Sequence, residues 1–354
     1  MTREPPPSNP LLRGGILALL AAVAFGVTTP LIQRLGKGAG PVPTAALLYA
    51  GAAIASLDPR ATSRGQEAPL ARSNLARLAL VALVGAVFAP ICLTWGLQHT
   101  DATSASLLLN FEAVFTVFFA WCLYREAIGR RVAMALTAMA AGGALLVLSS
   151  GVNGGRLGLG AVAVVFATVG WALDNTFSRP LADLSPPQVV RWKGALGATF
   201  GLALALVLRQ PFPKLGFLVG LLLCGATGYG ISQRLYLRAQ RLIGAGRTGS
   251  IFAVAPFVGA AVAWALGDRT AGPWVGGAAL LFGIGVYLHL TEKHAHRHVH
   301  QPLNHEHAHR HDDGHHDHHH DAPVIGEHSH PHTHDARVHM HVHGPDIHHH
   351  HEHE

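Results

Sequence analysis

Runs of apolar residues, separated by short polar breaks, fill the chain from residue 14 to residue 291. A bilayer core about 30 Å thick takes about 20 residues of helix. The runs therefore predict ten spans, at roughly 14–34, 41–57, 75–98, 102–124, 132–149, 157–178, 188–208, 215–237, 245–266 and 272–291. The charged stripe that marks one face of a soluble amphipathic helix is missing from them. Gly, Ala, Ser and Thr are frequent inside them, as suits membrane packing, where small residues let backbones approach. The first run is too long for a signal peptide and is followed by nine more, so it is expected to be retained as a membrane helix. Beyond Glu292 the pattern changes to a polar tail in which histidine recurs at almost every second position.

Composition sharpens this division. Only 13% of residues are charged, against about 25% in soluble domains. Of 27 histidines, all but His99 and His289 lie in the tail. The net charge of +6 does not imply nucleic-acid binding, because the basic residues form no stripe and no recognition module. Instead they follow the loops. With the N-terminus placed in the cytoplasm, sixteen Lys and Arg residues of the body fall on that side, Arg191 and Lys193 among them, and six on the other. The positive-inside rule then predicts both termini cytoplasmic. The same count puts every Lys and Arg at a span end or outside the spans. Cys92, Cys122 and Cys224 lack metal-ligand spacing and read as small buried hydrophobes.

The body also repeats itself. Residues 103–126 and 246–268 each run from a small-residue loop into an apolar stretch. Each then reaches Ala-Trp and an acid: Ala120-Trp121 with Glu126, and Ala263-Trp264 with Asp268. Phe25-Gly26 through Pro30 matches Gly170-Trp171 through Asn175 more loosely. Five spans per half is an odd number, so the halves are expected in opposite orientations, an arrangement known from secondary transporters.

These residues resemble the EamA type of the drug/metabolite transporter superfamily. The resemblance covers about residues 12–290 and rests on the span count, the two halves and particular segments. Those segments are Phe111-Glu112-Ala113-Val114-Phe115 through Trp121 to Arg125-Glu126, and Trp171 to Asn175 with Lys193-Gly194 beyond. The chain departs from the pattern at Ala113, where the first half lacks the proline matched by Pro256, and at Phe25-Gly26, where Trp-Gly is common. The resemblance implies an all-α polytopic membrane protein of ten transmembrane helices. Its two inverted five-helix repeats would cover 12–150 and 156–291, followed by a tail over 292–354. It implies a transporter, not an enzyme, and leaves the substrate open.

Two acids, Glu112 and Asp174, lie well inside the spans. An ionisable group there costs roughly 2.5–3.5 kcal/mol on insertion scales and so usually faces a cavity, a partner or a proton path. Both are candidate transport residues, with Asn175, Thr28 and Thr29 as neutral hydrogen-bonding neighbours. A structural hydrogen bond is the competing role for Glu112, and a helix-end pairing with Arg179 for Asp174. Glu126 and Asp268 read as interfacial charges beside Arg125 and Arg269. Trp95, Trp121, Trp171, Trp264 and Trp274 read as anchors or packing residues, and His99 as a solvated loop histidine.

The tail has too few apolar residues for a core and is expected to be disordered. Its imidazoles suit Zn, Ni, Co or Cu, in many interchangeable sites. The candidate ligands are His294, His296, His298, His300, His305, His307, His309, His311, His315, His316, His318, His319, His320, His328, His330, His332 and His334. The functional expectation is a multi-pass inner-membrane secondary exporter of a small metabolite or drug, requiring no cofactor, with a metal-binding tail. Two alternatives stand beside it: a divalent-metal exporter, and a membrane-tethered metal buffer or sensor. The expected partners are the lipid bilayer, a small-molecule or ion substrate and divalent metal ions, and not nucleic acid; a homodimer is left open.

Overall fold

The computed structural model describes residues 10–57, 74–124, 128–152, 155–178, 186–243, 245–269, 274–291, 295–299, 303–309, 328–334 and 338–342. Arg179, Glu126 and the predicted ligands His294, His300, His311, His315, His316, His318, His319 and His320 lie outside them. The body is helical: α1 (Pro10–Leu35), α2 (Pro41–Ala55), α3 (Leu75–Ala82), α4 (Ala89–His99), α5 (Ala102–Leu108), α6 (Phe111–Tyr124) and α7 (Arg130–Val152). There follow α8 (Gly155–Ser178), α9 (Pro186–Val207), α10 (Leu215–Cys224), α11 (Ser232–Ile243), α12 (Ala245–Phe252), α13 (Ala255–Ala265) and α14 (Trp274–Leu290). Among the described residues, eight helical stretches are long and apolar enough to cross a bilayer. Two further apolar helices are shorter, Pro41–Ala55 and Trp274–Leu288. At 1.5 Å per residue, α2 spans only about 22 Å.

Outward residues are as apolar as the inward ones. Leu148, Val207 and Leu215 are each at least 70% exposed, while Leu48, Leu93, Leu108 and Phe282 are fully buried. An apolar shell of this extent marks a surface made for lipid. Cys122 belongs to that outer surface and not to the core, whereas Cys224 is buried as expected.

Two of the long stretches contain a π-helical segment. Leu83–Phe88 joins α3 to α4, and Gly225–Ile231 joins α10 to α11. Two others are broken in the middle. One opens at Leu109–Asn110, between α5 and α6, and the other at Ala253–Val254, between α12 and α13. The breaks divide what the hydropathy pattern reads as continuous spans. Pro256 in the first turn of α13 accounts for the second, since it lacks the N–H that would bond to the Phe252 carbonyl and its ring crowds that carbonyl.

The packing pairs runs that are distant in sequence. With the ten runs counted in chain order, the first packs on the eighth (α1 on α11) and the second on the seventh (α2 on α9). The third packs on the sixth (α4 on α8), the fourth on the ninth (α5 on α13) and the fifth on the tenth (α7 on α14). Close approach of α2 to the eighth run depends on glycine. A side chain at Gly51 would overlap the Leu222 carbonyl, and one at Gly225 would overlap the Leu48 carbonyl.

Within the tail, four short segments are described as strands. β1 (Ala295–Val299) pairs antiparallel with β4 (Val338–Val342), and β2 (Leu303–His309) with β3 (His328–His334). Alternating sequences of this kind supply the two-residue period that a strand requires, and backbone pairing does not depend on a hydrophobic core.

Candidate functional site in the membrane

Glu112 lies in the first turn of α6, one turn beyond the break that starts at Leu109. Its carboxylate Oε1 accepts a hydrogen bond of 2.7 Å from Asn175 Nδ2 on α8. Glu112 is half-buried and Asn175 exposed. Both therefore keep accessible surface while standing inside apolar stretches, and two of the sequence candidates are in direct contact.

Asp174, one residue earlier on α8, faces the other way and is buried. It forms an ion pair with Lys193 of α9, and Ser178 Oγ donates to its Oδ1 at 3.2 Å. Two expectations change here. Lys193 is not a loop residue at a span end; it is a buried cation in α9, 5% exposed. A counter-charge for Asp174 comes from that helix, while Arg179, its predicted helix-end partner, lies outside the described residues. The physical reason is mutual: neither charge is tolerable alone in an apolar interior, and each supplies the other's counter-charge. Loop charge counting missed Lys193 because Arg191, only two residues away, keeps accessible surface over the Trp192 ring, and sequence alone does not separate the two. Lys193-Gly194 was conspicuous in the sequence only through the family resemblance.

Around this pair the π-helical segments gather aromatic groups. A π turn displaces a carbonyl from the regular helical ladder and frees it for other donors. The Gly85 carbonyl, in the first segment, accepts two bonds: 2.6 Å from the Tyr49 hydroxyl and 3.0 Å from Trp171 Nε1. Gly85 also leaves room for Asp174, whose carboxyl would be overlapped by any Cβ at that position. The second segment contributes Tyr229. Its ring lies 5.4 Å from Tyr49, 5.6 Å from Phe25 and 6.3 Å from Trp171, centroid to centroid. Phe25 continues to Phe252 at 5.7 Å and Phe252 to Tyr236 at 5.1 Å. Among the described residues, the Tyr229 hydroxyl is buried without a hydrogen-bond partner, as are Ser106 Oγ and Asn110 Oδ1 near the break in the fourth run. Unpartnered buried groups of this kind are uncommon and suit a bound molecule or water.

The threonine pair plays a different part. Thr28 donates to the Phe25 carbonyl at 2.7 Å within α1, and Gly228 packs against its side chain. Thr29 is buried in the same helix. Among the described residues, no hydrogen bond joins either to Glu112 or Asn175.

Three more sequence readings are revised by contacts. His99 is the last residue of α4, not a solvated loop residue; its ring stacks on Trp95 at 4.1 Å and Nδ1 lies 2.7 Å from the Trp95 carbonyl. Asp268 reaches across the molecule to α5, accepting from Thr103 N at 3.0 Å and Thr103 Oγ1 at 2.9 Å. With Asp101, the N-cap that accepts from Ser104 N, it caps the start of α5. Arg269 instead lies over the Trp264 ring, 4.2 Å from its centroid. Trp121, Trp264 and Trp274 are exposed, as anchors would be, whereas Trp171 is buried in the site.

Comparison with known proteins agrees with this architecture. Residues 12–149 and 158–291 match the EamA-like transporter family. An uncharacterized transporter of Methanothermobacter thermautotrophicus is 28% identical over 276 residues, covering 72% of this chain and 79% of the relative. A solved crystal structure aligns with a TM-score of 0.57 at 17% identity, over 78% of this chain and 94% of its own, which is a likeness of fold alone.

Proposed function

The chain belongs to the EamA-like transporter family, and from that premise we propose a secondary transporter that moves a small organic solute by alternating access to one central site. A multi-pass membrane transporter of small solutes is the common ground of the family and the helices. In the finer reading, ten crossings form two five-helix halves of opposite orientation, related by a pseudo-two-fold axis. The packing supports this. An operation that exchanges each run with the one five places on turns the first–eighth contact into the sixth–third. It returns the second–seventh, fourth–ninth and fifth–tenth contacts to themselves. The irregularities obey the same exchange: π-helical segments occur in the third and eighth runs, breaks in the fourth and ninth. Interrupted helices at corresponding positions of two repeats are where such carriers bind their solutes.

One observation carries the assignment of the site. Both π-helical segments meet, through Tyr49 and Trp171, at the Gly85 carbonyl beside the buried Asp174–Lys193 pair. On the neighbouring face of α8, Glu112 and Asn175 keep accessible surface. In this reading the aromatic groups receive the apolar part of an organic solute and Glu112 holds its polar end or exchanges a proton. Asp174 and Lys193 neutralise each other and fix α8 against α9. A metal-exporting body has less in its favour, because no group of three His, Cys, Asp or Glu side chains gathers among the described residues. The tail, cytoplasmic in this reading, binds divalent transition-metal ions through its histidines and so regulates or buffers; the chain works in the inner membrane as an exporter.

The test is transport by the full chain in reconstituted vesicles, screened against a panel of small organic solutes. Glu112→Gln keeps the shape and the Asn175 contact but removes the charge, and it should abolish uptake while leaving insertion and melting temperature unchanged. Transport near the unmodified rate in this variant would take Glu112 out of the mechanism.

A further inference from the structure

The fourth run is buried in its first half and accessible in its second. Every residue of α5 is buried, and the helix packs along α13. Beyond the break the surroundings change: α6 packs on α8, and among its described residues only Ala120 is buried. Glu112 and Asn175 stand where the accessible half begins. The fourth and ninth runs therefore meet closely at the end of the molecule that carries the start of α5 and the end of α13.

Side chains tie that end together. Asp268, just beyond α13, accepts from Thr103 N at 3.0 Å and from Thr103 Oγ1 at 2.9 Å. Arg34, near the end of α1, donates to the Leu266 carbonyl beside it. Its neighbour Gln33 donates to the carbonyls of Leu97 and Thr100, each at 2.8 Å. Behind these bonds, one turn along α5, Ser106 is fully buried. A Cβ at Gly259 would lie 2.8 Å from Ser106 Oγ and 3.0 Å from the Gly26 carbonyl oxygen, so α5, α13 and α1 leave no room for a solute there. Two carboxylates share the start of α5. Asp101 accepts from Ser104 N at 2.6 Å; burial raises its carboxyl above the ordinary range, and the charge of Asp268 adds to this. Like charges at one helix start oppose each other, which offsets part of what the bonds to Thr103 contribute.

We propose that Asp268 is the latch of the solute path: bonded to Thr103 it closes the path at this end while α6 leaves the other end open, and its release goes with closure of the other end. This rests on the carrier reading and adds to it a residue that holds one of the two alternating states. Helices α5 and α13 belong to opposite halves. Rocking one half against the other must part them, and the two bonds to Thr103 then break. A carboxylate suits the task. Its hydrogen bonds are strong, and Asp268 keeps accessible surface, where water can replace Thr103. On the loop-charge topology the latch end is the non-cytoplasmic one.

The experiment reads both ends with a charged, membrane-impermeant maleimide, on full-length protein in vesicles permeabilised so that the reagent reaches both faces. It uses no solute. The carrier reading is tested separately by the solute panel, so the two failures are distinguishable. In a chain with Cys92, Cys122 and Cys224 replaced by Ala, Ser106→Cys reports the latched end and Asn175→Cys the open one. With Asp268 in place, Asn175→Cys should label quickly and Ser106→Cys slowly. Asp268→Ala should speed labelling of Ser106→Cys about tenfold, the effect of losing one hydrogen bond to a charged group, and should slow labelling of Asn175→Cys. Asp268→Asn keeps an oxygen acceptor without the charge and should shift both rates in the same directions by less; it carries the test if the Ala variant does not reach the membrane. A rise at both positions would show that Asp268 only holds the fold together. An unchanged rate at Ser106→Cys would show that the bonds to Thr103 do not close the path. Either result overturns the latch.

Discussion

At the scale of single residues, the charges inside the body divide into one compensated pair and one acid with an open side. Asp174 and Lys193 are both buried and depend on each other. Removing one leaves the other uncompensated, a loss of about 3–5 kcal/mol where such pairs have been broken. Asp174→Asn should therefore lower the melting temperature of the purified protein strongly. Adding Lys193→Met to the same chain should restore most of it, because an uncharged pair has no desolvation to offset. If the double variant melts as low as the single one, the pair is not the source of the stability. Glu112 differs in having a neutral partner, Asn175, and accessible surface. Its substitution should act on transport and not on folding.

At the scale of elements, the irregular turns and the glycine contacts are complementary. The π-helical segments widen the third and eighth runs where aromatic groups and Asp174 must fit, and the glycines bring α2 close to the eighth run just beside them. Inserting side chains into packed contacts of this kind typically costs about 1–3 kcal/mol. Gly51→Val and Gly225→Val should each lower the melting temperature and impair assembly of the site. Gly276→Ala in α14, where a Cβ meets nothing within 4 Å, is the control and should be neutral. Equal effects at all three positions would show that helix propensity, not close approach, governs the response.

At the scale of the whole molecule, orientation decides which metal pool the tail meets. In the proposed topology the tail lies in the cytoplasm, on the count of loop charges, although Lys193 must be withdrawn from that count because it is buried in α9. Fifteen positive residues against six still favour the same side. A reporter fused after Lys293 should behave as cytoplasmic. Activity of a periplasmic reporter at that point would reverse the topology and expose the histidine-rich tail to external metal instead.

The sequence by itself determined that the chain is an apolar helical body with a histidine-rich tail, that it resembles EamA-type carriers, and that Glu112 and Asp174 are its unusual interior acids. The first and the last follow from local chemistry, since about twenty apolar residues fit one bilayer crossing and a charge inside such a run must have a reason, while the resemblance rests on the segments around Glu112 and Asp174. Only the tertiary structure decided the partners. Lys193 stands nineteen residues from Asp174, close to residues that do belong at an interface, and only the packing of α9 against its neighbours shows it buried. Tyr49, Phe25 and Tyr229 looked like ordinary apolar positions until three separate runs brought their rings together. The π turns and the capping of α5 by Asp268 likewise come from contacts between distant segments. In the tail the two-residue period was visible in the sequence, but a period fixes only the face within one strand. Which residue stands opposite which is set only by the pairing of β1 with β4 and of β2 with β3, because register depends on a second strand and not on the period of the first.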